Sequence, residues 1–113
     1  MAGLSPEVEA QVAALKQRYL VQLPTKIFEL RTAYEAAIVN QDGELMFSCY
    51  RLAHSLAGSS GMYGMPAVGD KARELEYVVK QYAEQRSTQL LQSDTEKVTA
   101  LLNELAGLAK RSD

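Results

Sequence analysis

The sequence has no tryptophan, one cysteine, one histidine and three prolines among its 113 residues. Because Cys49 is alone, the chain cannot form an internal disulfide, and a cysteine-based zinc site is disfavoured. No window approaches the roughly 20 apolar residues that a membrane-spanning helix needs. The N-terminus lacks both the basic start and the apolar run of a signal peptide. We therefore expect a cytoplasmic protein.

The sequence also lacks an excess of positive charge, with 12 lysines and arginines against 14 aspartates and glutamates. Nucleic-acid binding needs a dense basic face that displaces counterions, so we expect neither a nucleic acid nor a membrane as a partner. A length of 113 residues with 47% hydrophobic content fits one domain over residues 1–113, with a core large enough to fold alone. Met1 and the full set of helices favour a standalone protein, and we expect a monomer.

Strand signals are weak, whereas helix signals are strong and occur in five segments. Capping residues, prolines and turn residues place the five helix starts near Ser5-Pro6, Pro24, Gly43, Pro66 and Ser93. Each segment carries an apolar stripe that needs a partner to bury it. Short connections between long helices favour antiparallel neighbours. The sequence therefore predicts an all-α fold, an antiparallel up-down four-helix bundle with an additional N-terminal helix.

The predicted core positions recur at helical spacing in every segment. In chain order they are Val8, Val12, Leu15 and Tyr19; Ile27, Leu30, Tyr34 and Ile38; Leu45, Cys49, Leu52, Leu56, Ser60 and Tyr63; Val68, Ala72, Leu75, Val79 and Tyr82; and Val98, Leu102, Leu105 and Ala109. On a helical projection of the third segment, His54 lies about 180° from Leu45. The single histidine is therefore predicted on the outward face and not in the core.

Four residues share the outward face with His54, within about 40° of it: Phe47, Tyr50, Gly58 and Gly61. Ala57 lies near 120° from the core direction, on the flank. A glycine inside a helix costs about 1 kcal/mol relative to alanine, and Gly58 and Gly61 leave a shallow pocket beside the imidazole. With its aromatic rim, this face is typical of a protein-docking surface. The alternatives are a histidine without a role, a frayed helix end at the glycines, and a Phe47 covered by the first helix.

The neighbours of His54 restrict the chemistry that its imidazole can perform. Ser55 does not face the ring and Cys49 points the opposite way, so we expect neither a hydrolytic triad nor a metal site. The remaining role is that of a nucleophile that takes a phosphoryl group on one ring nitrogen. An antiparallel turn near Gly64 brings Glu76 level with His54, where its carboxylate can accept the other ring N–H and fix the tautomer.

Two arginines are candidates to hold phosphoryl oxygens: Arg73, one turn from Glu76, and Arg51 on the third segment. Each is also explained as a solvated surface charge. The expected partner-binding residues are Phe47, Tyr50, Arg51, Ala57, Gly58 and Gly61. No phosphate-binding loop, metal set or nucleophile–base pair occurs in the sequence, so we expect a phosphotransfer intermediate that uses no cofactor of its own, and not an independent enzyme.

The stretch AHSLAGSSGMYG at 53–64, followed by ARELE at 72–76, resembles the histidine-containing phosphotransfer (HPt) domain family of bacterial phosphorelays. The shared positions are His54, Leu56, Gly58, Ser60, Gly64, Leu75 and Glu76. The resemblance implies a two-component signalling protein that accepts a phosphoryl group on His54 from a receiver-domain aspartate and passes it to another response-regulator receiver. It also implies a hybrid sensor kinase as a partner, magnesium held by the receiver, and no kinase activity of the chain itself.

One position departs from the family pattern, which usually has a lysine where this chain has Ala57. The resemblance implies that Gly58 gives clearance for the receiver and that Glu76 orients the imidazole. The missing lysine lowers the transfer rate or changes the phosphohistidine lifetime, unless Arg51 or Arg73 substitutes for it. Two alternatives stay open: a non-phosphorylated helical adaptor that binds a receiver or kinase through the same face, and a histidine switch that titrates near neutral pH.

Overall fold

Four α-helices build the fold in the computed structural model, which describes residues 3–111. They are α1 Pro6–Asn40, α2 Gly43–Met62, α3 Pro66–Glu84 and α4 Gln92–Arg111. Consecutive helices pack on one another, and α4 returns to pack on α1, which closes a four-helix bundle. The described part of the chain contains no strand, and none of its helices has the length and apolarity to cross a membrane. The all-α prediction is confirmed.

The predicted additional N-terminal helix is wrong, because the first two predicted segments form one helix, α1. It starts at the N-cap Ser5, whose hydroxyl accepts the Val8 N–H at 3.2 Å, and it continues through Pro24. A proline inside a helix loses one hydrogen bond and costs about 3 kcal/mol. Here the apolar stripe stays in phase across the proline, with Leu23 and Ile27 both buried. Their burial offsets the cost, so the helix does not break.

The two halves of α1 differ in what they contact. From Tyr19 onwards the apolar stripe is buried, except that the predicted core residue Ile38 is only partly buried. Val8, Val12 and Leu15, which the sequence also predicts in the core, are 40–51% exposed. The reason is length, since α1 has 35 residues against 20 in α2 and is therefore about 52 Å long at 1.5 Å per residue. The longest dimension of the molecule is 51 Å. The first half of α1 thus projects past the end of the bundle.

Tyr19 attaches α1 to the end of α2. Its hydroxyl hydrogen-bonds with Ser59 Oγ at 2.6 Å and with Ser60 Oγ at 3.0 Å. Its ring stacks on Tyr63, with the two ring centroids 4.7 Å apart. Ser60 is a fully buried polar side chain, and this bond satisfies it. Tyr19 therefore marks the point at which α1 leaves the bundle.

Small residues on both helices contribute to the contact between α2 and α3. The buried residues of α2 are Met46, Cys49, Ala53, Leu56, Ala57 and Ser60. Leu45, Leu52 and Tyr63, which the sequence predicts in the core, are only partly buried, so the buried face is rotated toward the alanines. The cause is Gly69 on α3, where an added Cβ would lie 3.4 Å from the Ala57 carbonyl oxygen. A glycine at this position lets the two helix backbones approach.

The predicted stripes of the last two helices are confirmed, with one difference. The buried positions are Val68, Ala72, Leu75, Val79, Val98, Leu102, Leu105 and Ala109. Tyr82 is only partly buried. Its hydroxyl donates to the Asp94 carboxylate and accepts the Leu91 N–H, which ties the end of α3 to the start of α4.

At the end of the bundle away from Tyr19, the connection between α3 and α4 closes onto the start of α2. The Arg86 side chain donates from Nε to Glu44 Oε1 at 3.0 Å, and its guanidinium lies 4.0 Å from the centroid of the Phe47 ring. The Arg86 carbonyl approaches Gly43 so closely that a Cβ there would overlap it. Gly43 is therefore a packing requirement of this end.

We expect Gly43→Ala to lower the free energy of unfolding by about 1–3 kcal/mol, because the added methyl group must push the Arg86 backbone away. The matched control is Gly107→Ala on α4, where a Cβ meets nothing within 4 Å. That variant should gain about 0.5–1 kcal/mol of stability. Urea unfolding followed by far-UV circular dichroism measures both changes. Equal stabilities of the two variants would contradict the assigned role of Gly43.

Candidate functional site

His54 and Glu76 face each other across α2 and α3. His54 Nδ1 lies 2.6 Å from Glu76 Oε2. The imidazole side chain is 69% exposed, whereas the glutamate side chain is 18% exposed. The antiparallel packing of the two helices brings together residues that are 22 positions apart in the chain. The site thus has an exposed ring and a largely buried carboxylate that holds it.

The carboxylate determines which ring nitrogen carries the proton. An ionised carboxylate can only accept hydrogen bonds, so the neutral imidazole donates its proton from Nδ1 to Glu76. The lone pair is then on Nε2, for which the described residues supply no hydrogen-bond partner. An exposed imidazole in this tautomer is a nucleophile that needs no further base.

An open pocket of about 390 Å³ lies beside the imidazole. Its lining comes from both helices and consists of His54, Ala57, Gly58, Arg73, Glu76, Tyr77 and Lys80. Two cationic side chains therefore border the pocket that the nucleophile faces. Lys80 Nζ lies 3.8 Å from Glu84 Oε1, and Arg73 has no ion pair within residues 3–111.

Ala57 lies deeper than the sequence predicts. It was expected on the flank as a partner-binding residue, but only 3% of its surface is exposed. The rotation of the buried face of α2 explains this, because Ala57 packs beside Gly69 of α3. The position lines the pocket without offering a side chain that reaches out of it.

The other predicted partner-binding residues lie on the outward face to different degrees. Gly58, Gly61 and Arg51 are exposed, and Tyr50 and Phe47 are half-buried. The Tyr50 ring lies between the Phe47 ring at 5.7 Å and the His54 ring at 6.3 Å. The Arg86 guanidinium lies over the Phe47 ring. Arg51 does not line the pocket.

Two residues of the pocket were missed in the sequence. Tyr77 is the most exposed large apolar side chain among the described residues, at 82%, and Lys80 lies one turn after Glu76. The signal that could have found them is helical spacing, since positions three and four apart share a face. Once Glu76 is placed opposite His54, its neighbours Arg73 and Lys80 must border the same site.

The single cysteine, Cys49, is not accessible at the surface. Cys49 is fully buried, and burial raises the pKa of its thiol to about 12. A buried thiol with a raised pKa is a core residue and not a nucleophile. Within residues 3–111, no group of three or more metal-ligating side chains is placed to hold an ion. Of the one cysteine and the one histidine in the sequence, only His54 is exposed.

We expect His54 to populate both neutral tautomers in Glu76→Ala, because the substitution removes the acceptor of the Nδ1 proton. Long-range ¹H–¹⁵N spectra of the imidazole should show a protonated Nδ1 in the wild type and a mixture in the variant. Glu74→Ala is the matched control, since the Glu74 carboxylate lies 3.3 Å from Lys71 Nζ and not at the imidazole. Identical ring spectra for the wild type and Glu76→Ala would show that the carboxylate does not fix the tautomer.

One of three comparisons with known proteins found a match. The family model described as Hpt domain matches residues 14–110 of the 113-residue chain. Comparisons with curated proteins and with solved structures found no match. The matched range covers most of the chain and includes both His54 and Glu76, which confirms the resemblance in the sequence. The chain belongs to the Hpt domain family.

Proposed function

We propose that this chain is a phosphorelay carrier that accepts a phosphoryl group on His54 Nε2 from one receiver domain and passes it to another. Membership of the Hpt domain family assigns the class of function, histidine phosphotransfer in phosphorelays, with receiver domains and kinases as partners. The observation that carries the assignment to His54 is the 2.6 Å contact between its Nδ1 and Glu76. That contact leaves Nε2 as the nucleophilic nitrogen.

The proposed transfer balances without an added base. The Nε2 lone pair attacks the phosphorus of the aspartyl phosphate, an N–P bond forms, and the P–O bond to the aspartate breaks. The aspartate leaves as a carboxylate with the electron pair of that bond. The ring then carries the phosphoryl group on Nε2, a proton on Nδ1 and a positive charge, which the Glu76 carboxylate stabilises. Attack by the aspartate of the second receiver reverses these steps.

The phosphoryl group brings roughly two negative charges to the pocket. The usual lysine of the family is Ala57 here, and this alanine is buried. Arg73 and Lys80 border the same pocket from α3, on either side of Glu76 in the sequence. We assign them the neutralising role, and Arg73 is the stronger candidate because it has no competing ion pair within the described residues.

The glycines of α2 support a docking role for the outward face. A Cβ at Gly58 or Gly61 would meet nothing within 4 Å, so packing does not require either glycine. Each costs helix stability by about 1 kcal/mol relative to alanine. Clearance for a receiver loop that must reach His54 explains this cost, and the exposed Tyr77 ring beside the pocket supplies an apolar contact.

The carrier needs its partners for the rest of the chemistry. In the proposed scheme the receiver supplies the phosphoryl donor and the magnesium ion, and a hybrid sensor kinase lies upstream. The chain itself has no kinase activity and works in the cytoplasm. A non-phosphorylated adaptor that uses the same face is the competing function, and phosphoryl uptake distinguishes the two.

A cognate receiver loaded with ³²P should label the chain with a phosphate that is labile in acid and stable in base, as expected for an N–P bond. His54→Gln should abolish the label, because glutamine has no nucleophilic nitrogen. Ser55→Ala is the matched control on the neighbouring position and should keep full labelling. Circular dichroism verifies that both variants keep their helices. Receiver binding without any label in the wild type would support the adaptor instead, and a label on His54→Gln would exclude His54 as the acceptor.

Arg73→Ala should slow phosphoryl uptake about tenfold, because a charge-assisted contact to the transferring group is lost. Lys80→Ala should act in the same direction, and the double variant should be slower than either one. Lys110→Ala removes an exposed cation on α4 and serves as the control for net charge. Rapid-quench labelling measures the rates. Wild-type rates in the double variant would show that neither cation serves the phosphoryl group.

A further inference from the structure

The projecting part of α1, residues 6–18, carries an exposed apolar face. We call it the α1 extension. Val8, Val12 and Leu15 are 40%, 51% and 45% exposed, and they continue the line of the buried Tyr19 in phase. Single exposed apolar residues are normal on a protein surface. A helical stripe of three that continues a buried stripe needs a partner to cover it.

We propose that the α1 extension pairs with the same segment of a second copy of this chain, with the two helices antiparallel. The evidence is the charge pattern beside the stripe. On one flank lie Glu9 and Lys16, and on the other lie Glu7 and Arg18, each about 80–100° from Val8 on a helical projection. All four side chains are exposed, and within residues 3–111 none of them has an ion pair.

In one register of the two helices, each of these four charged residues faces a residue of opposite charge in the second copy. In an antiparallel pair, each flank of one helix faces the same flank of the other. With a two-fold axis between positions 12 and 13, facing residues have numbers that add up to 25. Glu9 then faces Lys16 of the second copy, and Glu7 faces Arg18 of the second copy. Both flanks are therefore complementary in the same register, and the symmetry makes four ion pairs.

The same register also interleaves the apolar side chains. Leu15 of the second copy arrives at the level of position 10, between Val8 and Val12. Val8 of the second copy arrives at the level of position 17, between Leu15 and Tyr19. The side chains of one helix thus fill the gaps of the other, as in knobs-into-holes packing. The interleaved side chains are therefore compatible with the register that the charges select.

A parallel pair does not fit these charges. In that arrangement each flank faces the opposite flank of the partner at the same level. Glu9 then lies beside Glu7 of the second copy, and Lys16 beside Arg18 of the second copy, so every facing pair repels. The antiparallel pair is therefore the arrangement that the extension supports. This proposal differs from the monomer that the sequence predicts.

Pairing through the α1 extension leaves the phosphotransfer site open. The extension leaves the bundle where Tyr19 stacks on Tyr63, and His54 lies nine residues earlier on α2, about 13 Å along the helix axis. The dimer therefore presents two His54 sites, and neither is needed to form the interface. The proposal stands independently of the proposed function.

Sedimentation equilibrium of the full chain tests the pairing. The apparent mass should rise with concentration from the 12.4 kDa of one chain toward twice that value. Leu15→Glu should keep the chain monomeric, because it places a charge in the stripe. Gln17→Glu is the matched control, since it adds the same charge about 180° away from Val8, and it should dimerise as the wild type does. A wild type that stays monomeric up to millimolar concentration would overturn the proposal.

A charge swap tests the register. Glu9→Lys and Lys16→Glu should each raise the dimer dissociation constant about tenfold, because each turns two attractive pairs into repulsive ones. The double variant Glu9→Lys/Lys16→Glu should restore wild-type dimerisation, since both pairs re-form with their signs exchanged. Failure of this rescue would overturn the register. If the wild type stays monomeric and Leu15→Glu abolishes its binding to a receiver, the partner of the α1 extension is the receiver and not a second copy of this chain. Neither experiment measures phosphoryl uptake. The dimer can therefore be disproved without affecting the proposed phosphotransfer function, and the reverse also holds.

Discussion

The approach of α3 to α2 is the constraint on which the site depends. It is made by small residues, with Gly69 of α3 beside Ala57 of α2. Because the backbones meet there, a short side chain such as Glu76 can reach His54 Nδ1 at 2.6 Å. A larger residue at either small position would separate the helices and lengthen that hydrogen bond. The tautomer of the imidazole is thus controlled by the packing of the core behind it.

The glycines of this chain separate into those that the fold requires and those that it does not. Gly43 and Gly69 lie against neighbouring backbone or side chains, whereas Gly58 and Gly61 face open space. A glycine in a helix weakens it, so the first pair is explained by packing inside the molecule. The second pair needs an explanation outside it, and the access of a receiver to His54 is the one that the proposed function supplies.

The helix positions and the contact of Glu76 with His54 can be predicted from the sequence because they depend on local patterns. Apolar spacing, proline positions and the reflection through the turn at Gly64 are all readable along the chain. Pro24 is wrongly predicted as a helix start, because the local sequence does not distinguish a proline in the first turn from one inside a helix. The helix stays continuous because Leu23 and Ile27 are both buried, which cannot be known from the local sequence. The burial of Ala57 was equally unpredictable, because it depends on Gly69 in another helix.

One face of α3 presents opposite charges at helical spacing, and this order has a physical consequence for the proposed transfer. Glu76 lies between Arg73 and Lys80, three residues after one cation and four before the other. The carboxylate faces the imidazole, where positive charge develops when the N–P bond forms. The cations border the pocket, where the negative phosphoryl oxygens arrive. In the proposed transfer, the developing charges are therefore met by groups of opposite sign that one helix holds in place, and Arg73 and Lys80 take the part of the lysine that is absent at Ala57.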